Sequence, residues 1–231
     1  MLLDQTHARI EKNVIRGNQL SGIFTLGRSA LYAYENTIEK NGRSGIYVSP
    51  QTTFAEILRN TIAENAQMGV AAAAGAQQVD IRENSMRANG GLGIDWNLDG
   101  VSPVVEDDSK APSNAPLLFS AIYDPARNTT IVTGRVQNRP LGPYINATNV
   151  DLYANATPDG DGERWLQPSG VQQGSSFVIE IRGDLRGQWI NATSTRTHWL
   201  ASKPPADHLV SHSFAGGTSM TSELSNSVRV E

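Results

Sequence analysis

The sequence predicts an all-β protein: a short parallel β-helix of about four coils, followed by an antiparallel β-sandwich. Two observations carry this. The phrase Asn-x-apolar-x-x-Asn-x-x-x-Gly-apolar occurs four times, with its first Asn at Asn13, Asn36, Asn60 and Asn84, in steps of 23, 24 and 24. Beyond Ala115 that phrase is gone, and short alternating apolar segments separated by Gly- and Asp-rich turns replace it. A period in the low twenties with polar turns is the sign of a solenoid. A charged fraction of only 18% and 21 glycines suit a turn-dense β protein.

Each unit is read as strand around its first Asn, with Ile15, Ile38, Ile62 and Met86 facing inward, and as a second strand after its Gly, with Ile23, Ile46, Val70 and Ile94 inward. Helical spacing is not sustained across any unit. The repeated phrase carries at most one Leu in each copy, which argues against leucine-rich repeats. Stacking at ~4.8 Å per coil gives a column about 19 Å tall in which equivalent residues lie above one another. Two amide ladders follow, Asn13, Asn36, Asn60, Asn84 and Asn18, Asn41, Asn65, Asn89, each side chain donating to one neighbour and accepting from the other. The column Lys12, Glu35, Arg59, Glu83 alternates in sign, so neighbouring coils are expected to pair opposite charges. The run Ala71–Ala74 is read as a narrow coil wall rather than a helix, and residues 1–7 as the end of a preceding coil.

After the fourth repeat, Asp95, Asn97, Asp99, Gly100 and Glu106 satisfy D-x-[DN]-x-[DN]-G-x5-E. Calcium needs six to eight oxygens on a sharply turned loop; here Asp95, Asn97, Asp99, the Val101 carbonyl and a bidentate Glu106 would supply them, with Asp107 and Asp108 as alternatives. The competing reading is a hydrogen-bonded acidic turn that ends the solenoid. Residues 1–100 are assigned to the β-helix, 101–115 to an acidic linker and 116–231 to the sandwich. Strands are expected at Thr130–Val136, Asn149–Tyr153, Phe177–Ile181, Trp189–Ser194 and Ser227–Val230, with turns at Pro158–Gly162 and Gly183–Gly187.

A net charge of -4 with no basic patch argues against a nucleic-acid partner. The absence of Cys removes disulfide, thiol and Cys-based zinc chemistry. No apolar run is long enough to span a membrane, and MLLDQTHARI does not read as a signal peptide. Met1 lies almost inside the first coil. The chain is therefore expected either to be a trimmed piece or to meet a partner through an open solenoid end with unpaired strand edges.

The phrases GLGIDWNLDGVSP, NAPLLFSA, TIVTGRV, VDLYANATPDGDGERWL and TSELSNSVRV, in that order, resemble a known arrangement. It is that of right-handed parallel β-helix (pectate-lyase-like) repeat proteins with a C-terminal immunoglobulin-like domain, found among bacterial secreted and surface proteins. The resemblance implies a right-handed helix, an immunoglobulin-like sandwich and a secreted or cell-surface location. Some members of that superfamily are polysaccharide lyases, hydrolases or epimerases. Two departures stand out: four coils are few for a substrate cleft, and THWLASKPPADHLVSHSFAGGTSM replaces a short turn. Trp199, His208, His212 and Phe214 in that segment are the expected partner-binding residues. His208 and His212 share a helical spacing but lack a third metal ligand.

Acids and bases on the coils (Glu11, Arg16, Glu39, Lys40, Glu64, Arg87) do not converge in one column, so no catalytic residue is assigned. Asp159, Asp161 and Glu163 are read as a tight turn in preference to a second cation site. Asn128, Asn146, Asn155 and Asn191 stand in N-x-[ST] sequons. The expected function is a non-catalytic extracellular module for architecture, self-assembly or adhesion, with structural calcium at the junction. Its partner is a second copy or another surface protein at the open solenoid end. The alternative is the C-terminal part of a polysaccharide-active enzyme, or a glycan-binding module using Trp96 or Trp199.

Overall fold

The computed structural model describes residues 1–102, 114–137, 146–172, 176–198 and 218–231. Among them all regular structure is strand. β1 (Leu2–Asp4) precedes four complete coils: β2 (His7–Glu11), β3 (Val14–Arg16), β4 (Ile23–Leu26); β5 (Ala30–Tyr34), β6 (Thr37–Glu39), β7 (Ile46–Val48); β8 (Phe54–Leu58), β9 (Thr61–Ala63), β10 (Val70–Ala72); and β11 (Val79–Arg82), β12 (Ser85–Arg87), β13 (Ile94–Trp96). They stack into three parallel sheets, ordered β1-β4-β7-β10-β13, β11-β8-β5-β2 and β12-β9-β6-β3. The chain thus opens with a right-handed parallel β-solenoid of about four turns. β1 pairs in parallel with β4, one rung below it in the same sheet.

Each coil has three strands, not two, and the difference lies at the first Asn. The residue before it is in the left-handed region in every coil: Lys12 (φ 56), Glu35 (φ 53), Arg59 (φ 56) and Glu83 (φ 58). One such residue between extended segments turns the chain through a corner, so the Asn begins a new face. The second corner repeats the device at Gly17 (φ 68), Lys40 (φ 54), Glu64 (φ 54) and Ala88 (φ 52), each just before the second Asn. Left-handed backbone disfavours L-residues by roughly 1–2 kcal/mol each, so something must hold these corners.

The Asn side chains do so. Asn36 Nδ2 donates to Asn60 Oδ1 at 2.9 Å and to the Ile10 carbonyl at 2.9 Å, and the Asn36 backbone N–H also reaches Asn60 Oδ1 at 2.9 Å. Asn60 repeats this toward Asn84 Oδ1 (3.0 Å) and the Ala33 and Leu58 carbonyls. The second column is continuous, with Nδ2 to Oδ1 distances of 2.8, 2.9 and 3.0 Å from Asn18 through Asn41 and Asn65 to Asn89. At the exposed start of the first column, Asn13 Nδ2 turns back to the Glu11 carbonyl instead. Outside the corners, Lys12 pairs with Glu35 at 3.7 Å and Arg59 with Glu83 at 2.6 Å.

Ile23, Ile46, Val70 and Ile94 form one column of the core; Ile38, Ile62 and Met86 form another; Leu31, Ala33, Ile57 and Ile81 close the third face. The repeated Gly sits where coils approach most closely. A Cβ on Gly45 would lie 2.8 Å from the Gly69 carbonyl oxygen and 2.5 Å from Ile62 Cγ2. The Ala run is strand at β10, where Ala71 and Ala72 are fully buried.

The C-terminal part holds β14 (Leu117–Asp124), β15 (Thr129–Arg135), β16 (Asn146–Asn155), β17 (Arg164–Gln172), β18 (Ser176–Arg182), β19 (Trp189–His198), β20 (Thr218–Thr221) and β21 (Val228–Arg229). They form antiparallel sheets ordered β14-β15-β18 and β17-β16-β19-β20, with β21 pairing β19. Val132, Phe177, Ile179 and Ile181 of the first sheet pack with Val150, Leu152, Ile190 and Ala192 of the second in one apolar cluster, consistent with a sandwich. β14, β17 and β20 lie outside the strands expected from alternation. A bulge between Leu118 and Ser120 breaks the pattern of β14, β17 carries Pro168 and Gly170 within its length, residues that do not signal a strand in sequence, and β20 has only four residues.

Buried and bonded on both sides, Asn60 should tolerate no truncation. Asn60→Ala leaves several buried donors and acceptors without partners and should cost at least about 3 kcal/mol in chemical denaturation. Asn13→Ala, at the exposed end, should cost less than about 1 kcal/mol. Equal losses would show that the ladder does not hold the corners.

Candidate functional site

The two ends of the solenoid differ. At the far end, β11, β12 and β13 would each present unpaired N–H groups, and the C-terminal part supplies an acceptor for each. Ile81 N–H donates to Thr221 Oγ1 at 2.8 Å, Met86 N–H to the Gly162 carbonyl at 2.9 Å, and Trp96 N–H to Glu223 Oε1 at 2.9 Å. Ser85 Oγ donates to the Glu163 carbonyl. Trp96 lies across the top of the core, 2% exposed, with its indole N–H on the Thr221 carbonyl at 2.8 Å, and Met220 packs on the same cluster. Asp161 takes the place of a fifth coil. Its carboxylate lies against the N–H groups of Asn89 and Gly93, and its carbonyl oxygen is the nearest atom to a Cβ on Gly93, the position the next Gly's oxygen occupies below.

This closure buries carboxylates. Glu223 accepts from Trp96 N–H, Ser102 N–H at 2.7 Å and Ser102 Oγ at 3.0 Å; burial raises its pKa and these donors offset part of the rise. Asp161 is pushed up to about 6 by burial, against the pull of the Asn89 and Gly93 N–H groups. Asp151, fully buried on β16, is pushed up to about 7, chiefly by burial; Trp165 Nε1 donates to its Oδ1 at 3.1 Å and the Arg82 charge opposes the rise. Its Oδ2 has no hydrogen-bond partner.

At the near end, β1, β2 and β3 are terminal strands of the three sheets. Met1, Leu2, Val14 and Leu20 are 53%, 63%, 64% and 56% exposed around this edge. A recess of about 300 Å³ opens among Met1, Arg9, Ile10, Asn13, Val14 and Ile15. Along one flank runs a second, larger cleft of about 500 Å³, walled by Phe24, Tyr47 and Leu98 and by Arg43, Gln67 and Met68. Phe24 and Tyr47 stack at 4.5 Å and 16°. Arg9, Lys12, Arg16, Lys40, Arg59, Arg82 and Arg87 each reach a carboxylate, whereas Arg28 and Arg43 have no ion pair among the described residues.

The sequence-predicted residues fall as follows. The eight ladder Asn stand in the two columns already described. Asp95 is 6% exposed, lies over the N–H groups of Gly100, Asp99 and Leu98, and leaves Oδ1 without a hydrogen-bond partner; burial raises its pKa. Asn97 and Asp99 are exposed, and no group of three acids or histidines able to hold a metal occurs among the described residues. Glu106, Trp199, His208, His212 and Phe214 lie outside the described residues. Trp96, expected to offer a ring to a glycan, is instead the buried lid of the solenoid. The coil charges draw together in pairs across coils: Arg16 with Glu39 at 3.9 Å, and Glu64 with Lys40 at 3.7 Å and Arg87 at 3.9 Å. Of the sequons, Asn155 and Asn191 are 2% exposed and hydrogen-bonded within the fold, while Asn128 is exposed. Sequence reasoning missed Thr221, Glu223 and Asp161 as closing groups; the TSELS and PDGDGE phrases contain them without any signal of what they face.

Residues 1–107 match the family described as right handed beta helix region. No curated protein matches the chain.

Because Asp151 and Asp161 bind protons more tightly in the folded chain than at the ordinary carboxylate value of 3.8, their effect favours the fold at low pH and fades as pH rises through about 6 to 7. Melting temperature should therefore fall between about pH 5 and pH 8. Asp151→Asn keeps the acceptor for Trp165, and should raise melting at pH 8 by roughly 3–6 °C and flatten the profile. A variant no more stable than the parent at pH 8 would show that Asp151 is compensated there.

Proposed function

We propose that this protein is a non-catalytic extracellular structural module, an architectural or adhesive element that associates through the open edge of its first coil. The observation that supports it is the contrast between the two solenoid ends: one finished with acceptors from the C-terminal part, the other presenting three strand edges ringed by Met1, Leu2, Val14 and Leu20. Strand edges of this kind are templates for pairing with another chain. The extracellular location rests on the resemblance of the junction phrases alone. The C-terminal sheets are read as immunoglobulin-like, because their first, second and fifth strands share one sheet and their third, sixth and seventh the other, the fourth having moved to the second sheet. Calcium enters this reading at the Asp95 loop, where a buried carboxylate oxygen without a hydrogen-bond partner faces a turn carrying Asp99.

The test is sedimentation and melting of the chain with calcium and then with chelator. Association is expected, and Leu2→Lys with Val14→Lys should weaken it at least about tenfold, the effect of setting like charges on a buried edge. Calcium should raise the melting temperature and Asp95→Asn should remove that rise. A chain that stays monomeric at every concentration sinks the assembly reading, and one indifferent to calcium sinks the metal.

One observation favours a second reading, a glycan-binding module or the C-terminal part of a polysaccharide-active enzyme. The flank cleft combines stacked aromatic rings, amide and hydroxyl groups and the unpaired Arg43, with no acid in its lining. Under this reading Tyr47→Ala and Arg43→Ala should each lower retention on an acidic glycan by about tenfold without changing melting. Absence of retention on any glycan in an array would remove it.

A further inference from the structure

We propose that a buried water completes the first Asn column, held between Asn84 of the last coil and Asp151, Tyr153, Asn191 and Thr193 of the C-terminal part. In the coils below, the backbone N–H of each Asn in that column goes to the side-chain oxygen of the next. Asn13 reaches Asn36, Asn36 reaches Asn60 and Asn60 reaches Asn84, at 3.0, 2.9 and 2.8 Å. Asn84 is fully buried, and no fifth Asn follows it. Among the described residues no acceptor bonds its N–H. The second column, by contrast, is finished directly by the Asp161 carboxylate on the Asn89 N–H.

The C-terminal part brings a block of oxygens to the same place. Asp151 and Tyr153 on β16 stand directly across from Thr193 and Asn191 on β19, on the sheet face turned away from the sandwich core of Val150, Leu152, Ile190 and Ala192. All are at most 2% exposed, yet Asp151 Oδ2, Tyr153 Oη, Asn191 Oδ1 and Thr193 Oγ1 close no hydrogen bond. Their neighbouring atoms are bonded, which fixes these oxygens in place: Trp165 Nε1 donates to Asp151 Oδ1 at 3.1 Å, and Asn191 Nδ2 to the Gly160 carbonyl at 2.8 Å. The Thr193 hydroxyl and the Asp151 carboxylate both lie near enough to the Tyr153 phenol to act on it. Arg82 and Glu83, just before Asn84, act on Asp151, while Ser85 and Met86, just after it, bond Glu163 and Gly162. The block therefore lies over Asn84. Buried polar atoms in native proteins are paired, so a group of them on one patch points to a bound molecule. As a carboxylate Asp151 only accepts, as does Asn191 Oδ1; the two hydroxyls do either, and the Asn84 N–H donates. Water both donates and accepts, and buried waters make about three such bonds. A cation offers nothing to an N–H, and the Arg82 guanidinium already brings positive charge to Asp151.

The sign of a stability change tests this. Tyr153→Phe and Thr193→Val each remove one hydroxyl and keep the shape of the side chain. With the water in place each variant breaks one of its bonds, and the unfolding constant at pH 8 should rise about tenfold. The double variant should lose more than either single one. Hydroxyls that served no partner would leave both single variants more stable than the parent, and hydroxyls that served only each other would leave the double variant near the parent. Either result overturns the water. In NMR spectra the Asn84 amide should show a direct contact with a long-lived water, and the Asn60 amide, bonded to Asn84, should not. No such contact at Asn84 also overturns it. Melting should be unchanged when sodium and potassium are replaced by choline at equal ionic strength; a drop would assign the site to a cation instead.

Discussion

The hydrogen bond from one Asn side chain to the next, coil to coil, is the interaction on which this architecture depends. A primary amide both donates and accepts, so a column of them can continue without changing chemistry. Above the first coil's Asn13, which gives Asn36 only its backbone N–H, each Oδ1 accepts the side chain and the backbone N–H of the Asn below, as Asn60 Oδ1 does for Asn36. That double acceptance fixes the backbone just after each corner. It lets charged residues such as Glu35 and Arg59 occupy left-handed conformations that disfavour them. The corners set the three-faced cross-section, and the close approach they force accounts for the Gly column. The ion pairs outside are secondary: they are exposed, and pairs of that kind contribute about 0–1 kcal/mol.

The same demand for partners explains the junction. A column of coils that ends leaves N–H groups directed at the next rung, and the C-terminal part answers with oxygens: a hydroxyl, a carbonyl and carboxylates. Carboxylates are strong acceptors, yet burial disfavours their charge, so Asp161 and Glu223 hold the end of the column while shifting upward in pKa. The C-terminal part is thereby tied to the last coil by contacts reaching more than a hundred residues along the chain, as from Ile81 to Thr221. Loosening either part exposes the other's unpaired groups.

What could be read from the sequence follows this division. The ladder Asn, the inward columns and the number of coils were legible because they repeat: a residue whose role recurs every 23 or 24 positions marks itself. The third strand of each coil was hidden because its boundary is a left-handed corner at ordinary residues such as Lys12 and Glu83, which carry no glycine to mark it. Trp96 looked like a recognition ring because a lone aromatic in a polar loop usually faces water; only the placement of Thr221 over it makes it a lid. The closing residues occur once each, so no periodicity could point to them. The flank cleft, too, was illegible, since Phe24, Tyr47 and Arg43 come together through stacking of coils rather than through spacing within one.

The replacement of a fifth coil by Asp161 has a consequence for how such chains can vary in length. The end-closing groups see only the last coil, and each coil offers the same corners, the same Asn and the same Gly to whatever lies above. Insertion or deletion of one whole 24-residue period, the spacing between Asn60 and Asn84, would return every closing group to an equivalent neighbour. A change of length between the two corners of a coil would set them out of register with their ladders, whereas the turn after the Gly strand absorbs a single residue, as the 23-residue step from Asn13 to Asn36 shows. Duplication in the gene is therefore filtered by geometry: the column can lengthen in steps of ~4.8 Å, and its closed end is inherited unchanged.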